Sequence, residues 1–223
     1  MTEKTEILNC TELPGIIPVF PLPGALIFPG VSLPLNVFEP RYLAMVGDVL
    51  TDGRWIGVVQ PLNALHHPIP NDVEIFGVGS LARLDTFENI DEERMLVNLI
   101  GITRFSIECE LEGRNGYRLV KANYRSFEED LTIDNGKLLD RKRLISAAES
   151  FFQHTAEEID LSNATDITDT MLLNALCMAS PLTVAEKQAL LECKSIVERG
   201  ELLSNLLEMA SLSDEVALSS TKH

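Results

Sequence analysis

Two adjacent histidines, His66-His67, are the first residues in this chain whose type and spacing could do chemistry. Neighbouring imidazoles share a metal only where the backbone bends and further Cys or His ligands approach. Pro61, Pro68 and Pro70 around them read as an exposed loop instead. Lys187, Lys194 and Ser195 raise Ser–Lys nucleophilic catalysis, which needs a base within hydrogen-bond reach and an oxyanion donor. Ser195 has a simpler role, because with Glu198 it forms an S-x-x-E capping box at the start of a helix. The acidic clusters Glu92-Glu93 and Glu128-Glu129-Asp130 lack the glycine and the spaced oxygens of a calcium loop, and read as solvated turns. Cys10, Cys109, Cys177 and Cys193 form no CxxC pair, so isolated thiols in a reducing cytosol are expected. No GxxxxGK(S/T), HExxH, GxSxG or GxGxxG motif occurs. The expectation is a cytoplasmic chain with no catalytic residue, no metal site and no cofactor.

Binding residues are the better prospect. Arg41 and Tyr42 open a short helical pattern, and Arg104 precedes an alternating strand. Each could contact a ligand, or cover apolar surface with its stem. Leu22, Leu26, Ile27 and Phe28 lie among turn residues, where burial is not guaranteed. They either form an exposed apolar patch able to hold unfolded chain or a partner, or they plug one end of a barrel. The position of Phe28 decides between the two.

The elements that position these residues change character near residue 125. Before it, Ile16–Pro21 and Val31–Phe38 read as strands, and Arg41–Leu50 as a helix with Pro40 at its first position. Trp55–Gln60, Val73–Leu84, Arg94–Leu111 and Tyr117–Tyr124 complete a set of strands. Gly77 and Gly79 are expected to mark a bulge or bend. Phe105, Ile107, Cys109 and Leu111 alternate with polar residues as a half-buried strand, and Asn115-Gly116 signals a hairpin turn. A small closed or nearly closed barrel follows. After residue 125, Leu138, Ile145, Phe152 and Ile159 form one face of a long helix. A further helix spans Asp166–Ala179, and capping boxes at Thr183 and Ser195 open two more, the last reaching about Met209. The expected organisation is residues 1–125 as a barrel subdomain with one short helix, 126–212 as a helical bundle and 213–223 as a flexible tail.

Charge narrows the partners. Against 18 Lys+Arg stand 34 Asp+Glu, a formal net charge of −16. The helical part holds 18 acidic and 8 basic residues, the first 125 residues 16 and 10. Such a surface repels phosphate backbones and anionic lipid, so neither nucleic acid nor a membrane is an expected partner. Leu13 to Phe38 carries no charge over 26 residues, but its six prolines reject a spanning helix. The polar, acidic start MTEKTEILNCTE shows no signal-peptide pattern.

The stretch IPVFPLPGALIFPGVSLPLNVFEPRYLAMV (Ile16–Val46) resembles the N-terminal domain of Lon, the ATP-dependent protease family. The family's Pro-rich strand, FPG turn and LPL strand correspond to Val19–Leu22, Phe28–Gly30 and Leu33–Leu35, with the helix from Pro40. The resemblance continues through IGVV (Ile56–Val59), FGVGSLARL (Phe76–Leu84) and LVNLIGITRFSI (Leu96–Ile107), where Gly101 and Arg104 match the family's v-G-x-x-R strand. It ends in the helical segment Glu186–Met209, covering about residues 14–210. It implies an α+β fold, a PUA-like β pseudo-barrel followed by an α-helical bundle. It further implies a domain that selects and holds substrates and contributes to assembly, with the ATPase and protease modules absent from this chain. The resulting expectation is a non-catalytic module for unfolded or partner polypeptides, with weak homo-oligomerisation open. Apolar segments would dock near the Pro-rich loop, or an extended peptide would add to an open barrel edge. RNA binding by a PUA-like barrel is the first alternative, and a hydrolase the second.

Overall fold

The computed structural model of the chain describes residues 9–63, 68–91, 93–132, 140–153 and 166–220. His66-His67, Glu92, Leu138 and Ile159 lie outside the described residues. Contacts divide the chain into two compact units, Met1–Asp134 with Pro181–Glu192, and Asn135–Ser180 with Cys193–His223. Among the described residues no helix is long and apolar enough to cross a membrane.

The first unit is built on six described strands: β1 (Ile16–Pro21), β2 (Ser32–Val37), β3 (Trp55–Val59), β4 (Val78–Asn89), β5 (Met95–Arg114) and β6 (Tyr117–Asn123). Their order is β2-β5-β4-β3-β1-β6, and β5 also pairs with β6. The ring β1-β3-β4-β5-β6 therefore closes on itself, with β2 added outside it on β5. Helix α1 (Pro40–Leu50) follows β2, with Pro40 in its first turn as expected. The hairpin at Asn115-Gly116 is also as expected: both residues have positive φ, and Arg114 pairs with Tyr117 across the turn.

Ile17, Val19, Val59, Leu81, Phe105 and Val120 fill the ring, with Tyr124 edge-on to Phe105. Gly79 serves this packing rather than a bulge. A Cβ there would lie 2.9 Å from Phe105 Cζ and 2.8 Å from the Val58 carbonyl oxygen. The irregularities between β4 and β5 fall instead at Leu81/Ala82 and Leu84/Thr86. The burial expected along Phe105, Ile107, Cys109 and Leu111 stops early: Phe105 is buried, but from Glu108 onward both faces of β5 are exposed. A register shift at Ile107/Cys109 turns this stretch away from the core.

Helix α2 (Arg141–Gln153), α3 (Asp169–Ala179) and α5 (Ile196–Ser220) belong to the second unit, and α4 (Val184–Glu192) to the first. The capping box at Thr183 marks α4 as a helix but does not say which surface it meets. Buried Gln188 answers that: its Nε2 donates to the Val78 carbonyl (3.1 Å), and its Oε1 accepts from Gln60 Nε2 (3.0 Å). The Thr183 capping box closes both ways, Glu186 Oε2 accepting from Thr183 N, whereas at Ser195 only the hydroxyl half forms and Glu198 Oε2 accepts from Lys194 N. Thr183 Oγ1 accepts from Glu186 N and Ser195 Oγ accepts from Glu198 N. The last helix runs to Ser220, beyond the end expected near Met209, through a stretch without Gly or Pro to stop it.

Candidate functional site

The Pro-rich loop between β1 and β2 is the first candidate, and it is folded inward. Leu26, Ile27 and Phe28 are buried, Phe28 completely (0% exposed), while Leu22 is half-buried. Leu26, Ile27 and Phe28 therefore present no exposed patch. The cause lies in the backbone as much as in the side chains. Gly30 N donates to the Gly101 carbonyl (2.9 Å), and Gly101 N to the Val31 carbonyl (3.0 Å). Gly24 N donates to Gln60 Oε1 and Lys187 Nζ to the Gly24 carbonyl. With its polar groups satisfied, the loop buries each large side chain for roughly 1.5–3 kcal/mol. Gly101 is the condition for this approach, because a Cβ there would sit 2.1 Å from the Phe28 carbonyl oxygen.

The charged candidates are committed internally as well. Arg104 is 3% exposed and grips Asp130 bidentately, Nε to Oδ2 at 2.8 Å and Nη2 to Oδ1 at 2.9 Å. Its Nη1 donates to the Leu191 carbonyl near the C-terminus of α4, and the guanidinium lies 4.4 Å over the Phe127 ring. Arg104 thus holds β5, the turn Arg125–Leu131 and α4 together. Asp130 is correspondingly no solvated turn residue: its side chain is 9% exposed. Arg41 pairs with Glu39, donates to Asn71 Oδ1 and the Ile69 carbonyl, and covers the Tyr42 ring at 4.5 Å. Tyr42 is buried against Phe20, and that burial pushes its hydroxyl pKa up to about 12. All three side chains are thus engaged within the unit.

The remaining candidates close in the same way. Ser195 is a helix cap, as above. Among the described residues no three His, Cys, Asp or Glu side chains gather as a metal site. In the second unit α2 and α5 leave an open groove of about 470 Å³. Arg143 on its wall is bound to both oxygens of Glu208 and to Asn205.

Several exposed apolar residues fall together at the far end of the β2–β5–β4 sheet, while others such as Ile16, Leu62 and Met209 stand elsewhere. Phe38 is 60% exposed, Ile90 47%, and Phe87 and Leu96 each 43%. Register brings them together. Val37 pairs with Met95 and Met95 with Asn89; Leu96 lies opposite both Asn36 and Glu88, and Phe87 opposite Val97. Ile90 sits in the connecting turn, its N–H on the Arg94 carbonyl at 3.0 Å. Directly opposed residues share a face, so Leu96 lies on one face and Phe87 on the other, beside half-buried Leu35 and Met95.

The cause is length: β4 has 12 residues and β5 20, against about 5–6 in a common strand. The two overrun the ring, and every residue of β4 from Asp85 to Asn89 is exposed. The sequence reading ended this strand at Leu84 and so missed Phe87 and Ile90. The available signal was the pair of large apolar residues standing alone among charges in DTFENIDEER.

Strand addition at the β2 edge is blunted. Because Gly101 N bonds the Val31 carbonyl, alternation turns the backbones of Ser32, Pro34 and Asn36 outward, and Pro34 has no donor to offer there. β2 is one edge of the six described strands, and β4 from Asp85 to Asn89 is another, paired there with β5 alone.

The family model of the ATP-dependent protease La (LON) substrate-binding domain matches residues 16–209. Lon protease of Anaeromyxobacter dehalogenans is 25% identical over 221 residues, covering 94% of this chain and 25% of that protein. Lon protease of Flavobacterium johnsoniae is 28% identical over 203 residues, covering 88% and 24%. The chain spans about a quarter of the length of these curated relatives. Among solved structures, the Lon N-terminal domain protein from Xanthomonas campestris superposes with a TM-score of 0.59 at 20% identity, over 84% of this chain and 96% of that one. The N-terminal domain of Mycobacterium avium complex Lon protease does so at 0.58 and 16%, over 86% and 97%. Both share the fold. With a match over most of its length, the chain belongs to the LON substrate-binding domain family.

Proposed function

We propose that this chain is a polypeptide-binding module without catalysis of its own, and that it captures apolar segments at the exposed end of β2, β4 and β5. One observation carries the reading: Phe38, Phe87, Ile90 and Leu96 are exposed at one sheet end, Leu96 on one face and Phe87 on the other, while Leu26, Ile27 and Phe28 of the Pro-rich loop are buried. An apolar cluster in water on a sheet is costly unless something covers it part of the time. Membership of a family of substrate-binding domains supports the same reading. So does the engagement of Ser195 as a cap, which leaves it no nucleophile's role. Nucleic acid is disfavoured, because Arg41, Arg104, Arg114, Arg118 and Lys121 each pair with a carboxylate.

The test is titration of a labelled, permanently unfolded protein with the wild type and with Phe87→Ser/Leu96→Ser. Two side chains, each burying roughly 1 kcal/mol of remaining apolar surface, predict an affinity loss of about tenfold or more with the thermal transition retained. Equal affinity in the two proteins would remove the sheet end from the reading.

A further inference from the structure

We infer that the exposed sheet end selects cationic apolar segments, those in which bulky apolar residues alternate with Lys or Arg, over neutral or acidic ones of equal hydrophobicity. The inference rests on the reading above and adds the charge of the occupant. Asp85 to Arg94, the segment that carries Phe87 and Ile90, holds five acidic residues and one basic. That base is already used, since Arg94 pairs with Asp91 at 2.6 Å. Asp85, Glu88 and Glu93 are exposed, and their carboxylates make no ion pair with any described residue. Glu88 lies directly opposite Leu96, so a side chain seated on Leu96 brings its neighbour within reach of that carboxylate. The apolar residues supply affinity, and the unpaired carboxylates beside them supply a preference of sign. An acidic segment would meet like charge at each of these contacts.

Short labelled peptides with Leu or Phe at every second position, and Lys, Gln or Glu between, test this on the full chain. The whole protein is acidic, so general attraction must be separated from the site. Glu88→Gln/Glu93→Gln is therefore compared with Asp72→Asn/Glu112→Gln, which removes as many charges from exposed positions away from this sheet end. At low salt each lost rim carboxylate is expected to lower the Lys-over-Gln affinity ratio about threefold, and the difference should shrink near about 0.5 M salt. Equal affinity of the three peptides, or the same ratio in both double variants, overturns the inference while leaving the apolar site standing. If no peptide binds, or Phe87→Ser/Leu96→Ser binds as the wild type does, the reading beneath it falls too.

Discussion

Two stretches of this chain expose the same chemistry to opposite fates. The loop Leu22–Val31 and the hairpin end Phe87–Leu96 both carry large apolar residues next to turns, yet Phe28 is buried and Phe87 is 43% exposed. Hydrophobicity does not separate them. What separates them is whether the backbone can come in with the side chain. The loop finds Gly101, Gln60 and Lys187 waiting for its N–H and C=O groups. The hairpin end is held on one side by the β4–β5 ladder and extends past the ring that would have covered it. An apolar residue folds inward where its peptide groups have partners inside, and stays at the surface where the ladder carries it outward.

The comparison can be broken by truncating one residue from each region. Phe28→Ala is expected to cost about 3–5 kcal/mol in chemical denaturation, the usual toll for a fully buried aromatic. Phe87→Ala should fall within about 0.5 kcal/mol of the wild type, as surface substitutions do. Binding should rank the other way, with Phe87→Ala weakened and Phe28→Ala retaining affinity under conditions where it stays folded. A large stability loss at Phe87, or an unaltered one at Phe28, would mean that the two regions have been assigned the wrong way round.

A somewhat smaller effect tests how the buried region is held. Asp130→Ala leaves the Arg104 guanidinium buried without its carboxylate, which costs about 3 kcal/mol. It leaves Phe87, Ile90 and Leu96 untouched, so peptide affinity of the folded protein should stay as it is. A loss of affinity at full folding would show that the sheet end is set by the interior.

Much of this architecture was legible in the sequence. Ile16–Pro21 is a strand with the bounds its pattern gives, Pro40 opens a helix, and Asn115-Gly116 turns a hairpin, because each depends on local rules of φ, donors and alternation. The site was less legible. Asp85, Glu88 and Asn89 are poor strand formers, so the pattern stops at Leu84 while the ladder with β5 continues to Asn89. Arg104 and Asp130 are 26 residues apart, and no period links them. The fate of Phe28 hung on an atom that is missing: the Cβ of Gly101.

The finest test sharpens the comparison within one strand, because β5 leaves the barrel at both ends. At its start the hairpin end faces water; at its finish the Asn115-Gly116 turn is tied back to α1. Asp48 Oδ2 accepts from the Tyr117 hydroxyl at 2.7 Å and from Asn115 Nδ2 at 2.9 Å, with Arg114 3.4 Å away. The Tyr117 hydrogen bond, helped by Asn115 and Arg114, holds the Asp48 carboxyl below its ordinary pKa. A carboxylate depressed in the folded state adds stability above its unfolded pKa, and that stability is lost as pH falls through the folded value. Wild type should therefore exceed Asp48→Asn at neutral pH by under about 1 kcal/mol, given the site's partial exposure. The gap should narrow as the solution is acidified past the usual carboxylate range. A gap that held constant with pH would place the contribution in the shape of the side chain rather than its charge. The tied end of β5 would then differ from the open end by packing alone.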